Sequence, residues 1–443
     1  PRARTAATPE ATTPASSTRH PECTAAHASS SASAIGAQSA PIATSGSPTT
    51  EVAADLSLLY APTHDRHFIA NARNSYFEID QGGYGLNAGL THTVGSGLVL
   101  EHRLVANRME SSRDADASVW KLWRYSADKN WGSPTGNSGE GGYGDIDQRQ
   151  DSANYTLKAQ AKPLTLGGIG HKLRGGLELG DQRSFYERTT RYEQYTGPTN
   201  TTTCTLANGS LDTETCSLAT PYNAASGGQY LKNRIIYFAG KFEVSNQTRA
   251  LYLEDEMQIE RLQLRLGARY EDDNLAPEGT WSPRVAALID TFADGNTLIE
   301  LGANRYYGRN FMRYRTYAER LSLQTGSQSR TVSGGVLGTW ADPVRSNTSA
   351  MYHLGDLKVP YSDEAMAGIS QKAFNTLWTL KYVKRASRDE VVLLLRSSGN
   401  YWWDNVGHTN AETWTLSAQT LEPLVMGGTR TTLGAALDRT SVN

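Results

Sequence analysis

Long hydrophobic runs are absent from this sequence of 443 residues, and so is a surplus of charge of either sign. The longest aliphatic run, 391–395, is far shorter than the roughly 20 apolar residues that a helix needs to cross a bilayer. Together with a mean hydropathy of −0.51, this excludes a helical membrane protein. The 43 basic and 45 acidic residues give a net charge of −2, which argues against binding to nucleic acid through many phosphate contacts.

Motifs that carry catalysis or hold metals are also missing. The sequence has no Gly-rich phosphate loop, no G-x-S-x-G turn and no His or Cys pair at metal-ligand spacing. We therefore expect no enzyme, no cofactor and no metal. The acidic alternations 114–116 and 145–147 have oxygen ligands suited to calcium, but they are more typical of polar external loops.

Cysteine is scarce, and two of the three cysteines lie close together. Cys204 and Cys216 flank a polar segment, 205–215, of the kind found in loops. This arrangement favours a local disulfide, and therefore an oxidising compartment, over two free thiols. Cys23 is left over in the N-terminal segment.

Residues 1–50 differ in composition from everything that follows. About three quarters of them are Ala, Ser, Thr or Pro, and the first aromatic residue is Tyr60. Such a segment cannot bury enough apolar surface to offset its ordering entropy. It also lacks the apolar core of a signal peptide. We expect 1–50 to be disordered or non-native, either a linker or a stretch read out of frame, and 51–443 to be the folded part.

From residue 51 onward, apolar and polar residues alternate with a period of two, which predicts strands with one apolar and one polar face. Segments 155–162, 172–179 and 413–420 show this alternation, and 263–271 shows it clearly. The apolar face of 263–271 carries Leu264, Leu266, Ala268 and Tyr270, and its polar face carries Gln263, Arg265, Gly267, Arg269 and Glu271.

Two architectures produce this alternation, a soluble sandwich with a dry core and a membrane barrel with a wet lumen. The density of charge on the polar faces favours the barrel. Strand length does too, because strands of about ten residues cross a bilayer, whereas globular strands average about five or six. Tyr and Trp, with 22 and 9 residues, outnumber the 8 Phe, as suits interfacial girdles.

About sixteen strands are predicted, joined by short turns on one side and long polar loops on the other. Short turns are expected at 94–97, 259–261 and 293–296, and long loops near 110–148, 188–229 and 308–360. The predicted strands are 52–60, 66–77, 83–93, 98–108, 151–162, 171–187, 231–243, 247–259, 262–273, 281–292, 297–307, 364–374, 376–386, 389–398, 411–422 and 428–440.

The block 250–310 resembles the barrel of a TonB-dependent receptor. Tyr252, Asp255 and Glu256 match the family's Y-x-x-D-E strand. After a short turn, 264–270 matches its L-x-L-G-x-R-Y strand, and 282–284 reads Ser-Pro-Arg, which opens the next. Segment 360–440 matches less specifically, and 51–240 is supported by the alternation alone.

The resemblance implies an incomplete 22-stranded transmembrane barrel in the bacterial outer membrane, with about sixteen strands present. Family members also carry a plug domain that fills the lumen, and residues 1–50 cannot form it. In the family, Arg265, Arg269, Glu271 and Glu300 would face that lumen; the alternative for each is a solvated pore residue.

The function implied by the resemblance is uptake of a scarce nutrient, a ferric siderophore, cobalamin or a glycan. Outer-membrane lipid, that nutrient and, through a plug, the TonB complex would be its partners. The alternatives are a passive porin of about sixteen strands and a secreted β-protein that binds polysaccharide. The aromatic pairs and triplets 306–307 and 401–403 would stack on a ligand or belong to the membrane girdles.

Overall fold

The computed structural model describes residues 42–44, 52–276, 278–342, 357–395 and 401–443, almost all of them in strands or turns. Within these ranges no helix has the length and apolarity needed to cross a membrane. Apart from Ile42–Thr44, which forms a short strand, the segment 1–50 lies outside the described residues, and so does Cys23.

The described elements are 27 strands and one helix, numbered here along the chain. The strands up to the middle of the chain are β1 (Ile42–Thr44), β2 (Val52–Tyr60), β3 (Thr63–Phe68), β4 (Ala72–Arg73), β5 (Tyr76–Val94), β6 (Leu98–Ala115), β7 (Val119–Arg124), β8 (Asn137–Gly141), β9 (Ile146–Ala161), β10 (Leu164–Leu166), β11 (Ile169–Arg188), β12 (Tyr192–Thr201), β13 (Cys216–Ser217) and β14 (Gly228–Tyr237). The remaining elements are β15 (Gly240–Ile259), β16 (Leu262–Asp273), β17 (Thr280–Asp290), β18 (Thr297–Tyr307), α1 (Phe311–Ser322), β19 (Gln328–Ser329), β20 (Val332–Ser333), β21 (Val336–Leu337), β22 (Tyr361–Ala373), β23 (Thr376–Leu395), β24 (Tyr401–Thr420), β25 (Leu424–Met426), β26 (Thr429–Thr431) and β27 (Gly434–Val442).

One 16-stranded antiparallel sheet forms the body of the protein. Its order is β1-β2-β5-β6-β9-β11-β15-β16-β17-β18-β22-β23-β24-β27, with β3 paired to β5 and β10 to β11. Neighbours in space are neighbours in sequence, apart from the strands that leave the sheet. This up-and-down order is the one expected of an outer-membrane barrel wall.

The register gives the main sheet an apolar face and a charged face. Leu251 pairs with Tyr270 on one face, and Tyr252 pairs with Arg269 on the other. Leu251 and Leu253 are 58% and 65% exposed, whereas the Glu256 side chain is only 7% exposed. Because the charged face is the shielded one, the sheet curves with its charges inside. This is the reverse of a soluble fold and suits a wall with lipid outside.

Aromatic pairs mark one edge of the outer apolar band. Tyr270 and Trp281 lie 5.1 Å apart between ring centroids, and Tyr382 and Trp414 lie 4.6 Å apart. The next outward pairs along these strands are ionic, Arg249–Asp272 at 3.2 Å and Lys384–Glu412 at 3.2 Å. An aromatic girdle followed by charge is the pattern of a membrane–water boundary.

The two ends of the sheet differ as the sequence predicts. At one end, tight turns join β5 to β6, β15 to β16 and β17 to β18, with left-handed residues at Gly95, Glu260 and Ala293. At the other end, long segments leave the sheet. The short-turn end is the periplasmic one and the other faces the exterior.

Where the structure describes them, the long segments are not irregular loops, which corrects the prediction for 110–148, 188–229 and the described parts of 308–360. They contribute strands to a second sheet of seven strands, in the order β13-β14-β12-β7-β8-β4 with β19 beside β14. We call this sheet, with α1 and its connections, the cap. Its strands escape an alternation search because they are short and bury residues at irregular spacing, as in β7, where Trp120 and Trp123 are the buried pair.

The cap holds most of the buried apolar side chains of the described residues. Trp123, Leu231 and Leu337 are among the most deeply buried of them. Cys204 and Cys216 form a disulfide with a sulfur–sulfur distance of 2.07 Å, packed against Tyr230 and Leu337. The cap is thus a folded unit with its own core, whereas the barrel wall has almost none.

Several strand boundaries differ from the predicted ones; the predicted strand 66–77, for example, spans the end of β3, all of β4 and the start of β5. Segment 376–386 and the described part of 389–398, up to residue 395, form one strand, β23, whose register against β24 shifts between Ser387 and Val392. A bulge at Asp389, with φ of 54°, interrupts the alternation there without ending the strand. Segment 231–243 spans the end of β14 in the cap and the start of β15 in the wall.

A matched pair of substitutions tests which face meets lipid. Leu157 faces outward between Leu177 and His102, and its neighbour Thr156 faces inward beside Glu178. In the full-length protein, we expect Leu157→Arg to lower the free energy of unfolding by about 2–4 kcal/mol, because it places a charge in hydrocarbon. Thr156→Arg should change it by less than about 1 kcal/mol. Urea unfolding in lipid vesicles measures both, and equal effects would contradict the assignment of faces.

A second prediction concerns the disulfide, which joins two cysteines that are 12 positions apart in the sequence. By loop-closure entropy it stabilises this part of the cap by roughly 3 kcal/mol. Replacing both cysteines by serine should therefore accelerate amide exchange in 203–217 about a hundredfold, with β16 unchanged as the internal control. Unchanged exchange in 203–217 would show that packing alone holds the segment.

Candidate functional site

Arg269 is the centre of an ion cluster on the concave wall. Its Nη1 and Nη2 donate to both carboxylate oxygens of Glu178, at 2.9 and 2.7 Å, and its Nε donates to Glu271 at 3.1 Å. A guanidinium fork that meets a carboxylate through two bonds is fixed in direction as well as attracted. β11 and β16 are separated by β15, so this contact ties together strands that are not adjacent.

A second cluster lies nearer the periplasmic end and is built around Glu256. Lys172 Nζ and Arg265 Nη2 donate to its two oxygens, at 2.8 and 2.9 Å. Arg265 also lies 3.6 Å from Glu254. Three strands are again joined, and the carboxylate is almost fully shielded by its partners.

Arg265, Arg269, Glu271 and Glu300, the residues predicted to face the lumen, all lie on the same face of the main sheet as Glu178 and Glu256. Glu300 lies apart from the others, 3.9 Å from Lys381. The sequence did not predict that Glu178, Glu254 and Glu256 form ion pairs with these residues, because the pairing depends on strand register. A recess of about 190 Å³ is lined by Glu178, Tyr252, Arg269 and Arg284.

Another groove does not lie in the lumen. It measures about 800 Å³ and is lined by outward residues such as Tyr60, Tyr84 and Phe185. Its lining includes Gly82 and Gly83, and a Cβ on Gly83 would come within 1.9 Å of the Arg108 carbonyl oxygen. This groove is on the membrane-boundary side of the wall, away from the ion clusters.

The acidic alternations lie close enough to interact, but among the described residues they do not form a metal-binding group. Asp145 accepts a hydrogen bond from the Ala115 amide at 2.9 Å. Burial raises the pKa of Asp147, and the nearby carboxylates of Glu187, Asp145 and Asp114 raise it further. Within the described ranges, no group of three or more His, Cys, Asp or Glu is placed to hold a metal.

The aromatic candidates have different surroundings. Trp403 packs on α1, with ring centroids 4.8 Å from Tyr314 and 5.9 Å from Tyr317. Tyr306 lies under the guanidinium of Arg284 at 5.5 Å, and Tyr307 lies 6.0 Å from Tyr361. Trp403 therefore anchors the helix of the cap and does not belong to a membrane girdle.

Buried ion pairs hold the cap. Arg330 Nη1 donates to Asp212 at 2.9 Å, and Arg309 Nε donates to Asp273 at 2.7 Å. Burial alone would raise the pKa of Asp212, but hydrogen bonds from Thr215 and Arg330 outweigh it, so the pKa lies below its ordinary value. The pKa of Glu140 is lowered in the same way, against burial, by hydrogen bonds from Arg73 and Trp123.

The lowered pKa of Asp212 predicts an acid-sensitive cap. A carboxyl whose folded pKa is depressed stabilises the fold above its unfolded pKa of about 4, and this contribution is lost as pH falls through the folded value. Pepsin cleavage within 203–217 should therefore increase between pH 4 and pH 2. Asp212→Asn should be cleaved readily already at pH 4, and a wild-type cleavage rate that does not respond to pH would contradict the prediction.

No protein-family model matches the chain. The uncharacterized protein YddB of Escherichia coli strain K12 is 25% identical over 309 residues, which is 68% of this chain and 33% of YddB. The solved outer membrane transporter YddB from Escherichia coli superposes with a TM-score of 0.67 at 22% identity, over 90% of this chain and 47% of that one. The RagAB peptide importer superposes with a TM-score of 0.54 at 10% identity, over 91% of this chain and 46% of that one.

This chain therefore spans about a third of the length of YddB in the sequence alignment and about half of each solved chain. The neighbours are outer-membrane transporters and receptors, which agrees with the expected localisation in the bacterial outer membrane. The predicted resemblance and fold class are confirmed: the chain has the fold of the barrel wall of TonB-dependent outer-membrane receptors and transporters.

Proposed function

We propose that the protein containing this chain is an outer-membrane receptor that takes up a scarce nutrient through TonB-dependent transport. A ferric siderophore, cobalamin or a glycan is the expected class. One observation carries the proposal: a wall whose charges face inward is combined with a compactly folded cap over its external mouth.

The inner wall supports a transporter rather than an open pore. Hydrogen bonds to carboxylates fix the orientation of its arginines: Arg269 makes two such bonds to Glu178, and Arg265 makes one to Glu256. Charges fixed in this way offer a polar contact surface of defined geometry, whereas a solvated pore needs no such order. In the family that this fold resembles, a plug fills the lumen and makes hydrogen bonds to the wall.

The cap supports a receptor. Its disulfide, its buried Arg330–Asp212 pair and its packed tryptophans hold a defined external surface. A preorganised surface recognises a ligand with less loss of conformational entropy than mobile loops do. RagAB is described as a peptide importer, so a peptide is a further ligand class to be tested.

Energy dependence separates this proposal from passive transport. In cells that express the full-length protein, we expect uptake of its nutrient to stop when TonB is deleted or the proton gradient is collapsed. Binding at the cell surface should persist under both conditions, because the cap does not need energy to bind.

Radiolabelled ferric siderophores, cobalamin, oligosaccharides and peptides serve as the probes, with a strain that lacks the gene as the control. Uptake that continues without TonB, together with steady ion conductance of the purified protein in planar bilayers, would overturn the receptor proposal and establish a porin.

A further inference from the structure

Three arginines of the described residues are almost fully buried outside the membrane-spanning band, and only two of them have a carboxylate partner. Arg309 is paired with Asp273 and Arg330 with Asp212. Arg188, at 6% exposure, has no described carboxylate within salt-bridge distance. A buried cation without a counter-ion is costly, so this exception needs an explanation.

A second cation lies beside Arg188. Arg188 Nη1 and Arg113 Nη2 donate to the same oxygen, the Tyr143 carbonyl, at 3.1 and 3.0 Å. Arg113 Nε also donates to the Gly144 carbonyl at 2.9 Å, and among the described residues Arg113 has no carboxylate partner either. Burial and the charge of Arg188 both lower the pKa of Arg113, as expected for two like charges that donate to the same carbonyl oxygen.

Aromatic rings enclose the pair. The Arg188 guanidinium carbon lies 5.4 Å from the ring centroids of both Tyr192 and Tyr237, and its Nη2 donates to the Tyr186 hydroxyl at 3.3 Å. Tyr192 is 4% exposed, and its hydroxyl has no hydrogen-bond partner among the described residues. Among the described residues, a hydroxyl without a partner therefore accompanies two cations without a carboxylate partner.

The cluster lies at the external mouth of the lumen. Arg188 is the last residue of β11, and Arg113 lies two residues before the end of β6; both are in register with the inward-facing residues of their strands, and Tyr192 opens β12 of the cap. Gly144, with φ of 67°, turns the chain so that the carbonyls of 143 and 144 point at the arginines. Arg113 remains partly exposed, so the cluster is open to solvent on one side.

Neutral carbonyl oxygens satisfy some N–H groups, but they do not neutralise two positive charges. A guanidinium has five N–H donors, and here each arginine uses two of them. The remaining donors and the Tyr192 hydroxyl suit an oxyanion, since carboxylate and phosphate match the guanidinium fork. The tyrosine rings supply apolar walls for the part of the ligand that carries the oxyanion.

We propose that Arg113, Arg188 and Tyr192 form a binding site for an oxyanion group, a carboxylate or a phosphate, on the transported ligand. The proposal rests on the proposed receptor function for the identity of the ligand, but not for the existence of the site. The site limits the candidate nutrients to compounds that carry an anionic oxygen group next to a flat or apolar part.

The test uses the purified full-length protein in detergent, titrated calorimetrically with inorganic phosphate and with citrate at constant ionic strength. We expect saturable binding of at least one probe, and Arg113→Gln should weaken it about ten- to a hundredfold, because a charge-assisted bond is lost. Arg113→Lys should bind with intermediate affinity, since it keeps the charge and loses the fork.

Arg183→Gln is the matched control. Arg183 lies on β11 as well, but it faces outward and pairs with Asp181. It should bind the probes like the wild type. Arg188→Gln risks misfolding because Arg188 is buried, so Tyr192→Phe serves as the second variant; it keeps the ring and should weaken binding several-fold.

The proposal is overturned if neither probe binds saturably, or if Arg113→Gln, Tyr192→Phe and Arg183→Gln all bind like the wild type. Its failure is distinct from that of the receptor function. If uptake depends on TonB but no anion binds, only the proposal of the anion site is wrong. If an anion binds but uptake is passive, only the proposal of the receptor function is wrong.

Discussion

Strand alternation gives each wall strand an apolar and a charged face, and the curvature of the main sheet puts the charges inside. Every other feature of the wall depends on that choice. With lipid outside, the apolar face needs no packing partner, and the wall therefore has almost no core. With charges inside a confined space, each must be compensated, and Glu178, Glu256 and their arginine partners do so across three neighbouring strands.

The apolar packing that the wall does not need is concentrated in the cap. Trp120, Trp123 and Leu231 are buried there, and the disulfide and two buried ion pairs add further constraints. The protein is thus stabilised in two ways. In the membrane, lipid covers the apolar face of the wall, and above the membrane, the cap has a conventional hydrophobic core. The proposed binding site at the mouth depends on the second, since it requires Arg113 and Tyr192 to be held in fixed positions.

Much of the wall could be predicted from the sequence, because alternation encodes it directly. Leu264 and Arg265 face opposite sides in the way that their spacing predicts, and the tight turn at Glu260 is where a short polar gap indicates one. The cap could not be predicted in this way. Its strands pair across long separations, as β7 does with β12, and no local pattern specifies a partner so distant in sequence. The same limit hid the ion clusters, since the contact of Arg269 with Glu178 joins residues 91 positions apart.

The position of the disulfide has a consequence for biogenesis. The bond between Cys204 and Cys216 lies in the cap, on the exterior side, whereas thiol oxidation in these bacteria takes place in the periplasm. We therefore expect the bond to be made before the chain enters the outer membrane. The small ring between the two cysteines must cross during barrel assembly as a closed loop, so the insertion pathway has to admit a chain that is already cross-linked.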